Sequence, residues 1–424
     1  MLKYFDLNRP ELHIGRFTAL DLVSRYGTPL YVYDVEIMKY KYNVVKKSFQ
    51  NVDIFYSLKA NPSASIASFF CSLGSGAEIA SGGELYLSLQ AGFRPENIIF
   101  VGPGKTNPEL EYAMKNDLYA VVIESLNELR RADNIAGALS KKIDVMIRVN
   151  TKSWTGASPE VMVGGPSKLG MVEEEVIEEL SNIDLKNVNI IGIHVYNASQ
   201  VLSEVSLIDA IEHTLDFACY CSEKLDFKLK CVDFGGGWGV PYKEGENELN
   251  VTWMQKKFSH ILQEKSKTFD LKNVRFIFEL GRYLVAESGV YLARVIDIKE
   301  SRGKKYLITD GGMNQQVRPV FMNLNHPTLI VNKLNRKKRE IVQIGGPLCT
   351  PFDMLGKDIQ LPEADIGDVI GIFNSGAYSF SMSMLNFLSH PWPSEVLVIG
   401  NDSRLIRERG NFENLVGNEI LIRL

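Results

Sequence analysis

The sequence predicts an α/β protein that consists of a (β/α)8 TIM barrel and a second, mostly antiparallel β-barrel or sandwich domain. Three observations support this prediction. Eight short β-rich segments alternate with helical patterns, the texture changes after Ser288, and the strand-like segments beyond it have almost no helical pattern between them. Alternating strands and helices favour parallel βαβ units, and eight units over roughly 230 residues have the size of a closed barrel. A doubly wound open sheet is the alternative.

The individual elements follow from runs of β-branched and aromatic residues separated by helical patterns. The predicted barrel strands are Ile54–Lys59, Ala77–Ala80, Ile98–Val101, Ala120–Glu124, Val145–Asn150, Ile190–Tyr196, Cys231–Phe234 and Arg275–Glu279. The helical patterns include Pro62–Cys71, Gly83–Ala91, Asn107–Asn116 and Leu202–Lys224. The later strands are predicted at Val290–Lys299, Tyr306–Asp310, Glu340–Ile344, Asp368–Phe373 and Glu395–Ile399. We therefore expect a barrel over residues 35–287 and a β domain built from residues 1–34 and 288–424.

The composition is that of a water-soluble globular protein with a large core. The 424 residues carry a formal net charge of −4, which argues against nucleic acid as a partner, and charged runs such as residues 333–340 are interpreted as solvated loops. Five cysteines without a CxxC pair argue against a disulfide framework or a zinc site, and no metal is expected. The polar N-terminus and the lack of a long apolar run favour a cytoplasmic protein that does not interact with membranes.

The C-terminal ends of the barrel strands concentrate polar residues. Active sites of such barrels lie at these ends, and ordinary core strands would not end in so many charged groups. The candidates at these positions are Lys59, Glu78, Arg148, His194, Tyr196, Asp233, Glu279 and Arg282.

Two of these residues suggest an aldehyde cofactor. A lysine at a barrel mouth can form a Schiff base when its amine is deprotonated, although a lone lysine is more often solvated. A carboxylate such as Glu279 can keep the pyridine nitrogen of pyridoxal phosphate protonated, so that the ring accepts electrons released at Cα. The alternative for Glu279 is a surface pair with Arg282.

Other residues near the strand ends suit a phosphate and a flat ring. The run Gly235, Gly236 and Gly237 lets backbone N–H groups approach a phosphate, but such runs also make plain turns. Ser199 and Arg282 can donate hydrogen bonds to phosphate oxygens. Strand alternation places His194 and Tyr196 on one face, where an aromatic ring can stack on a cofactor.

The β domain contributes two loop sequences with reactive side chains. Cys349 lies in Gly346-Pro347-Leu348-Cys349-Thr350, and Tyr378 follows Ser375-Gly376-Ala377. An exposed Cys349 beside a positive cofactor can serve as a proton donor, and the alternative is a buried small hydrophobe.

In this order, the motifs resemble the alanine-racemase-like (fold type III) pyridoxal-phosphate decarboxylases, with diaminopimelate and ornithine decarboxylases as the large families. The resemblance runs from about Tyr31 to the last strand. It rests on YSLKANP, GAEIASGGEL, the glycine run, FELGR, DGGMN, GPLC and NSGAYSFSM, which are weak singly and strong together.

The resemblance implies roles for individual residues. Lys59 is similar to the Schiff-base lysine, and Cys349 to the acid that protonates Cα from a second subunit of a homodimer. The expected cofactor-binding residues are Lys59, Glu78, Arg148, His194, Tyr196, Ser199, Gly235, Gly236, Gly237, Glu279, Gly281, Arg282 and Tyr378. The expected substrate-binding residues are Arg282, Arg318, Met322, Thr350 and Tyr378.

Three positions depart from the diaminopimelate pattern. Tyr196 stands where that family has a cofactor-stacking histidine, Thr350 where it has a glutamate, and Met322 where it has a tyrosine. A site that hydrogen-bonds a distal amino-acid head loses that recognition when its polar groups are replaced. The pattern is more similar to decarboxylases of specialised metabolism, among them one that acts on glutamate tethered to an acyl carrier protein in butirosin biosynthesis. The retained Arg318 fits this poorly, because it suggests a remaining anionic group.

We therefore expect a pyridoxal-phosphate decarboxylase that acts on a free amino acid or on one tethered to a carrier protein. Diaminopimelate decarboxylation is the first alternative and amino-acid racemisation the second. A non-catalytic homologue is the third, although such proteins lose the lysine or the cysteine, and both are present here.

Overall fold

The computed structural model describes residues 2–422 apart from 153, 155, 157 and 159. The chain forms two compact units. The barrel unit comprises Tyr42–Val240 and Asn247–Tyr283, and the β unit comprises Met1–Lys41, Pro241–Glu246 and Leu284–Leu424. The domain limits given above from the sequence remain a prediction.

Eight parallel strands close the barrel. The first strand of three or more residues, β1 (Leu30–Asp34), belongs to the β unit, and the next eight strands of that length form the barrel. These are β2 (Val52–Ser57), β3 (Gly76–Ile79), β4 (Ile98–Phe100), β5 (Ala120–Ile123), β6 (Ile143–Asn150), β7 (Val188–His194), β8 (Cys231–Asp233) and β9 (Arg275–Leu280). Each pairs with the next in parallel, and β9 pairs back onto β2, with Phe276 opposite Val52. The predicted barrel is confirmed.

Helices follow the barrel strands, and polar caps start several of them at the mouth of the barrel. The helices of two turns or more are α1 (Ala19–Tyr26), α2 (Val35–Ser48), α3 (Ala64–Ser72), α4 (Gly82–Gln90), α5 (Asn107–Lys115), α6 (Leu126–Ala138), α8 (Glu204–Lys224) and α9 (Val251–Lys265). Shorter helices are α7 (Val176–Ser181), α10 (Arg282–Val285), α11 (Arg318–Phe321) and α12 (Phe412–Val416). The hydroxyls of Ser81, Thr106 and Ser125 accept hydrogen bonds from the N–H groups of Glu84, Glu109 and Glu128. These caps satisfy N–H groups that would otherwise lack partners.

Apolar side chains fill the barrel interior. The buried cluster consists of Phe55, Ile99, Val101, Ala120, Val122, Met146, Ile191, Cys231 and Ile277. Each large member contributes about 1.5–3 kcal/mol by leaving water. A barrel interior packed in this way leaves the ends of the strands as the place for chemistry.

The β unit contains a large mixed sheet that packs on its own apolar core. Its later strands are β10 (Gly289–Ser301), β11 (Lys304–Thr309), β12 (Thr328–Ile330), β13 (Glu340–Gly345), β14 (Met354–Leu361), β15 (Val369–Ile372), β16 (Ser394–Ile399) and β17 (Asp402–Arg407). The order is β14-β13-β11-β10-β1-β16-β17, with β15 paired to β10 and β12. Only β11–β13 and β1–β16 pair in parallel, so the sheet is mostly antiparallel, as predicted.

The sequence patterns did not predict β12, β14 or β17. The strand β14 contains Gly356, Lys357 and Asp358, and β17 lies at the sheet edge with most of its side chains outside the core. Both therefore lack the apolar run by which strands were predicted.

Two further features concern the chain as a whole. All five cysteines are free thiols, and Cys349 is exposed. Among the described residues, none of the helices has the length and apolarity needed to span a membrane.

Candidate active site

Lys59 lies at the mouth of the barrel and is held by a carboxylate. The strand β2 ends at Ser57, and Lys59 lies in a 3-10 turn, Leu58–Ala60. The prediction that Lys59 ends the strand was therefore wrong by two residues. Its Nζ donates a 2.6 Å hydrogen bond to Oε1 of Glu78, which is fully buried on the neighbouring strand β3. The amine also lies 5.6 Å from the centre of the Tyr196 ring.

Tyr196 is not part of the strand that precedes it. The strand β7 ends at His194, so the alternation argument that placed Tyr196 on the His194 face does not apply. The position of Tyr196 beside Lys59 comes instead from the loop after β7. Its ring is still where an aromatic group can meet a flat ligand bound by the lysine.

A buried acid–base cluster forms on three adjacent strands. His194 ends β7, Asp233 ends β8, and Glu279 is the residue before the last of β9. All three side chains are buried. His194 Nε2 is 3.2 Å from Glu279 Oε1. Burial opposes ionisation of Glu279, but His194 and the more distant charge of Lys59 lower the pKa of this carboxyl. Burial and the charge of Glu279 raise the pKa of Asp233 well above its usual range. These opposite shifts favour ionisation of Glu279 over ionisation of Asp233.

The same three side chains are close enough to hold a metal ion. Their ligand atoms lie within 4.8 Å of one another. A carboxyl that keeps its proton is a poor metal ligand, because metal binding requires the deprotonated form. The raised pKa of Asp233 thus argues against a metal centre, and the absence of a metal remains a prediction.

Lys59 and Glu279 lie on the same side of the barrel. The strands β2 and β9 are hydrogen-bonded neighbours, with Phe55 opposite Glu279. Glu279 Oε2 is buried and has no hydrogen-bond partner among the described residues. A buried carboxylate oxygen without a partner is costly, so it indicates a donor supplied by a ligand.

The glycine run after β8 is required by close backbone packing. A Cβ on Gly236 would lie 1.8 Å from the carbonyl oxygen of Glu279, and one on Gly237 1.9 Å from that of Ala198. Gly235 has a φ of +62°, and its N–H donates to Oδ1 of Asp233. The run therefore brings the β8 turn directly against the segment that holds Glu279. Its expected role in phosphate binding stays a prediction.

Arg282 and Ser199 are brought together beside this turn. Arg282 Nη2 donates to Ser199 Oγ at 3.2 Å, and both side chains are buried. Gly281 precedes the arginine, and a Cβ there would lie 2.7 Å from Cβ of Ala60 in the Lys59 turn. The close approach at Gly281 thus packs the FELGR segment against the lysine segment.

Arg148 belongs to a buried ionic network. Its Nη1 donates to Glu124 Oε1 at 2.8 Å, and Glu124 also accepts the N–H groups of Gly102 and Gly170. Lys105 donates to Glu128 in the same region. Glu124, Glu128 and Lys105 were not among the predicted site residues, although Glu124 was placed at a predicted strand end. Arg148 therefore has a protein partner that the sequence did not reveal.

The cysteine loop of the β unit is fixed by an aspartate. Cys349 is exposed in the turn after β13. Asp353 accepts hydrogen bonds from the N–H groups of Leu348 and Met313, at 2.8 and 2.6 Å. Thr350 closes the turn by donating its N–H to the carbonyl of Leu348. Asp353, which sequence reasoning missed, thus joins the GPLC and DGGMN loops.

Arg318, Tyr378 and Met322 lie in the β unit as well. The guanidinium of Arg318 lies 5.2 Å from the Tyr242 ring centre and 6.0 Å from that of Tyr378. Arg318 is 2% exposed, whereas Met322 is half-buried at the end of α11. The guanidinium of Arg318 therefore lies near two aromatic rings, of which Tyr242 was not among the predicted site residues. The substrate-binding roles of Arg318 and Tyr378 stay predictions.

Comparison with known proteins identifies the family. The family described as "Pyridoxal-dependent decarboxylase, pyridoxal binding domain" matches residues 36–286. An L-glutamyl-[BtrI acyl-carrier protein] decarboxylase of Niallia circulans is 36% identical over 94% of this chain and 95% of its own. A diaminopimelate decarboxylase of Aquifex aeolicus is 33% identical over 97% and 96%. The crystal structure of diaminopimelate decarboxylase from M. jannaschii with L-lysine has a TM-score of 0.91 at 27% identity and covers 99% and 98%.

The barrel residues fit the cofactor of this family. Lys59 offers an amine at the barrel mouth, Tyr196 a ring beside that amine, and Glu279 a buried oxygen without a partner. A protonated pyridine nitrogen is a donor that such an oxygen can accept. This chain belongs to the pyridoxal-dependent decarboxylases and is a carboxy-lyase that uses pyridoxal phosphate on amino acids.

Proposed function

We propose that the enzyme removes the α-carboxylate of a glutamyl group carried on an acyl carrier protein. The observation that supports this most strongly is the 36% identity to the Niallia circulans enzyme over nearly the whole of both chains. The substitutions described above agree with it. Thr350 and Met322 carry no charge, and a thioester-linked substrate has no free distal amino-acid head for charged residues to recognise.

The role of the barrel side chains is to bind and orient the cofactor. Lys59 supplies the amine that binds the cofactor aldehyde, and Glu78 holds that amine at the mouth. Ionised Glu279, which His194 supports, accepts from the ring nitrogen. Arg282, Ser199 and the N–H groups of Gly236 and Gly237 would bind the phosphate, whereas the N–H of Gly235 donates to Asp233. Glu124 orients Arg148. When bound, the protonated ring accepts the electron pair that remains at Cα after carbon dioxide leaves.

Cys349 supplies the proton that completes the reaction. We infer that the thiol acts on the site of a second copy of the chain, so that the working enzyme is a homodimer with shared sites. An exposed thiol in a loop fixed by Asp353 suits this role, because it is accessible and its backbone is held. Tyr378 and Arg318, whose ring centre and guanidinium lie 6.0 Å apart, would line the same substrate region.

Decarboxylation of meso-diaminopimelate is the second candidate. One specific observation favours it: Arg318 is retained, and its guanidinium is buried. Diaminopimelate has a distal carboxylate that a guanidinium can bind with paired hydrogen bonds. Relatives that are diaminopimelate decarboxylases reach 33% identity.

A decarboxylation assay distinguishes the two candidates. The holoenzyme is given glutamyl-loaded BtrI carrier protein, free glutamate and meso-diaminopimelate in turn, and released carbon dioxide is measured. We expect turnover of the loaded carrier with kcat/KM at least about tenfold above that for either free amino acid. Preferred turnover of meso-diaminopimelate would replace the first proposal by the second.

We also propose that the enzyme works in the cytoplasm. All five cysteines are free, including the exposed Cys349 whose thiol the reaction needs. A reducing compartment keeps such a thiol from oxidation.

A further inference from the structure

Two basic segments that are distant in sequence meet at one edge of the β unit. The hairpin between β10 and β11 carries Lys299, Arg302, Lys304 and Lys305, and the loop before β13 carries Arg336, Lys337, Lys338 and Arg339. The strands β11 and β13 pair in parallel, with Lys305 opposite Val342, so both segments lie at the same end of the sheet. We call these eight residues the basic edge.

The basic edge differs from the rest of the chain in charge. Its two segments, 299–305 and 336–340, hold eight basic and two acidic residues, whereas the whole chain has a net charge of −4. Lys305 pairs with Glu340 at 2.7 Å, and Lys304 lies 3.6 Å from Asp358. Within the part of the chain that the structure describes, no ion pair involves the other six. The edge therefore presents uncompensated positive charge.

The exposure of these residues supports an external partner. Lys299, Arg302, Lys304 and all four residues of 336–339 are exposed. Adjacent like charges repel one another, so the basic residues do not stabilise this edge. A tight hairpin or loop can also be built from neutral polar residues, so the turns do not require these charges. A concentration of positive charge on an acidic protein attracts a negatively charged partner and increases its association rate.

The edge is also connected to the cysteine loop within the same unit. The strands β11 and β13 each contain six residues and both run away from the edge. They end at Thr309 and Gly345, directly before the DGGMN and GPLC loops. Six residues of extended strand span about 20 Å. A partner seated on the edge is thus about one strand length from the start of the loop that contains Cys349, a distance suited to a substrate on a long flexible arm.

We propose that the basic edge is the docking surface for an acidic carrier protein. This inference rests on the proposed function, because it assigns the partner that brings the tethered substrate. Carrier proteins present their cargo on a flexible phosphopantetheine arm, so the docked protein and the reacting carbon need not be adjacent. Surface charges of this kind mainly set the association rate and its salt dependence.

The test compares two triple variants of the holoenzyme. In the first, Arg336→Glu, Lys337→Glu and Lys338→Glu reverse part of the edge. In the control, Lys142→Glu, Lys228→Glu and Lys256→Glu make the same change in net charge on exposed lysines of the barrel unit. The dissociation constant of glutamyl-loaded BtrI carrier protein is measured by calorimetry, and its turnover by carbon dioxide release. We expect the edge variant to weaken binding and raise KM about tenfold with kcat unchanged, and the control to stay within about twofold of the parent.

Binding and turnover separate the two proposals. If the parent turns over the loaded carrier and the edge variant binds it equally well, the docking surface is wrong and the proposed function stands. If the parent binds the carrier through the edge but does not turn it over, docking stands and the proposed function fails. If a DNA duplex binds the edge more tightly than the carrier does, the partner is nucleic acid and the docking proposal is overturned.

Discussion

Lys59 donates a 2.6 Å hydrogen bond to Glu78, the fully buried carboxylate on the neighbouring barrel strand. Ser57, two residues before the lysine, lies opposite Glu78 in the parallel register of β2 and β3. The sheet therefore fixes the distance between the 3-10 turn and the carboxylate. A charge-assisted hydrogen bond of this kind restricts a flexible lysine to one region of the barrel mouth.

The first prediction concerns Lys59. In Lys59→Ala we expect loss of the visible absorbance of the bound cofactor and of all turnover, because the variant lacks the amine that binds the aldehyde. Absorbance spectroscopy of the purified variant and carbon dioxide release measure the two effects. Lys142→Ala, at an exposed position of the barrel unit, serves as a control and should retain both. A variant at position 59 that kept both properties would show that the cofactor assignment is wrong.

A second prediction follows from Glu84 on α4. Burial, together with the charge of Glu78, raises the pKa of Glu84 to about 7. The pKa of Glu84 in the folded state exceeds its unfolded value of about 4.3. The contribution of Glu84 to the free energy of unfolding is therefore fully present below about pH 4.3 and is lost as the pH rises through about 7. The apoprotein should therefore lose stability relative to Glu84→Gln between these limits. Thermal melting at several pH values measures this, and Glu178→Gln, at an exposed position on α7, is the control. A difference that does not change with pH would contradict the prediction.

A third prediction tests the close packing of the glycine run. Gly236→Ala would place a Cβ 1.8 Å from the backbone of Glu279, and that backbone cannot move without shifting β9. We expect a loss of about 3 kcal/mol in the free energy of unfolding, the upper end for overpacked sites, together with weaker cofactor binding. Gly104→Ala is the matched control, since a Cβ there meets no atom within 4 Å. Denaturant unfolding measures the free energy of unfolding of both variants. Equal values for Gly236→Ala and Gly104→Ala would contradict the prediction.

A fourth prediction addresses Cys349. Cys349→Ala should keep the cofactor spectrum but decarboxylate much more slowly, or release carbon dioxide without an equal amount of amine, because protonation at Cα is impaired. Carbon dioxide and amine are quantified together. Cys71→Ala on α3 is the control, and unchanged turnover at position 349 would exclude the acid role.

A fifth prediction tests the shared site. Lys59→Ala and Cys349→Ala homodimers should each be nearly inactive. If the cysteine is supplied by the other subunit, a mixed dimer formed by subunit exchange has one site with both residues. In an equal mixture about half of the dimers are mixed, so about a quarter of the parental activity should return. If each subunit supplies both residues to its own site, mixing restores nothing. Sizing of the parent protein provides the independent measure of oligomeric state.

The sequence alone predicted the barrel and the β domain, and it singled out Lys59 and Glu279 as candidates for binding the cofactor. These follow from local patterns, because a strand's residue types and the polar residues at its end are adjacent in the chain. Gly235 to Gly237, Glu279 and Arg282 were chosen as candidates for this reason, and their roles stay predictions. The strands β14 and β17 escaped detection, because their residues are polar and their stability depends on neighbours in the sheet.

Only the tertiary structure decided which charged groups meet. It paired Arg148 with Glu124, brought Asp233 close to Glu279 and fixed the cysteine loop through Asp353. It also placed residues 299–305 and residues 336–339 at the same end of the sheet. The physical reason is that ionisation and pairing depend on burial and on distances of a few ångströms between residues far apart in sequence. The local amino-acid sequence specifies which strands form, whereas the register of those strands specifies which charged residues become neighbours.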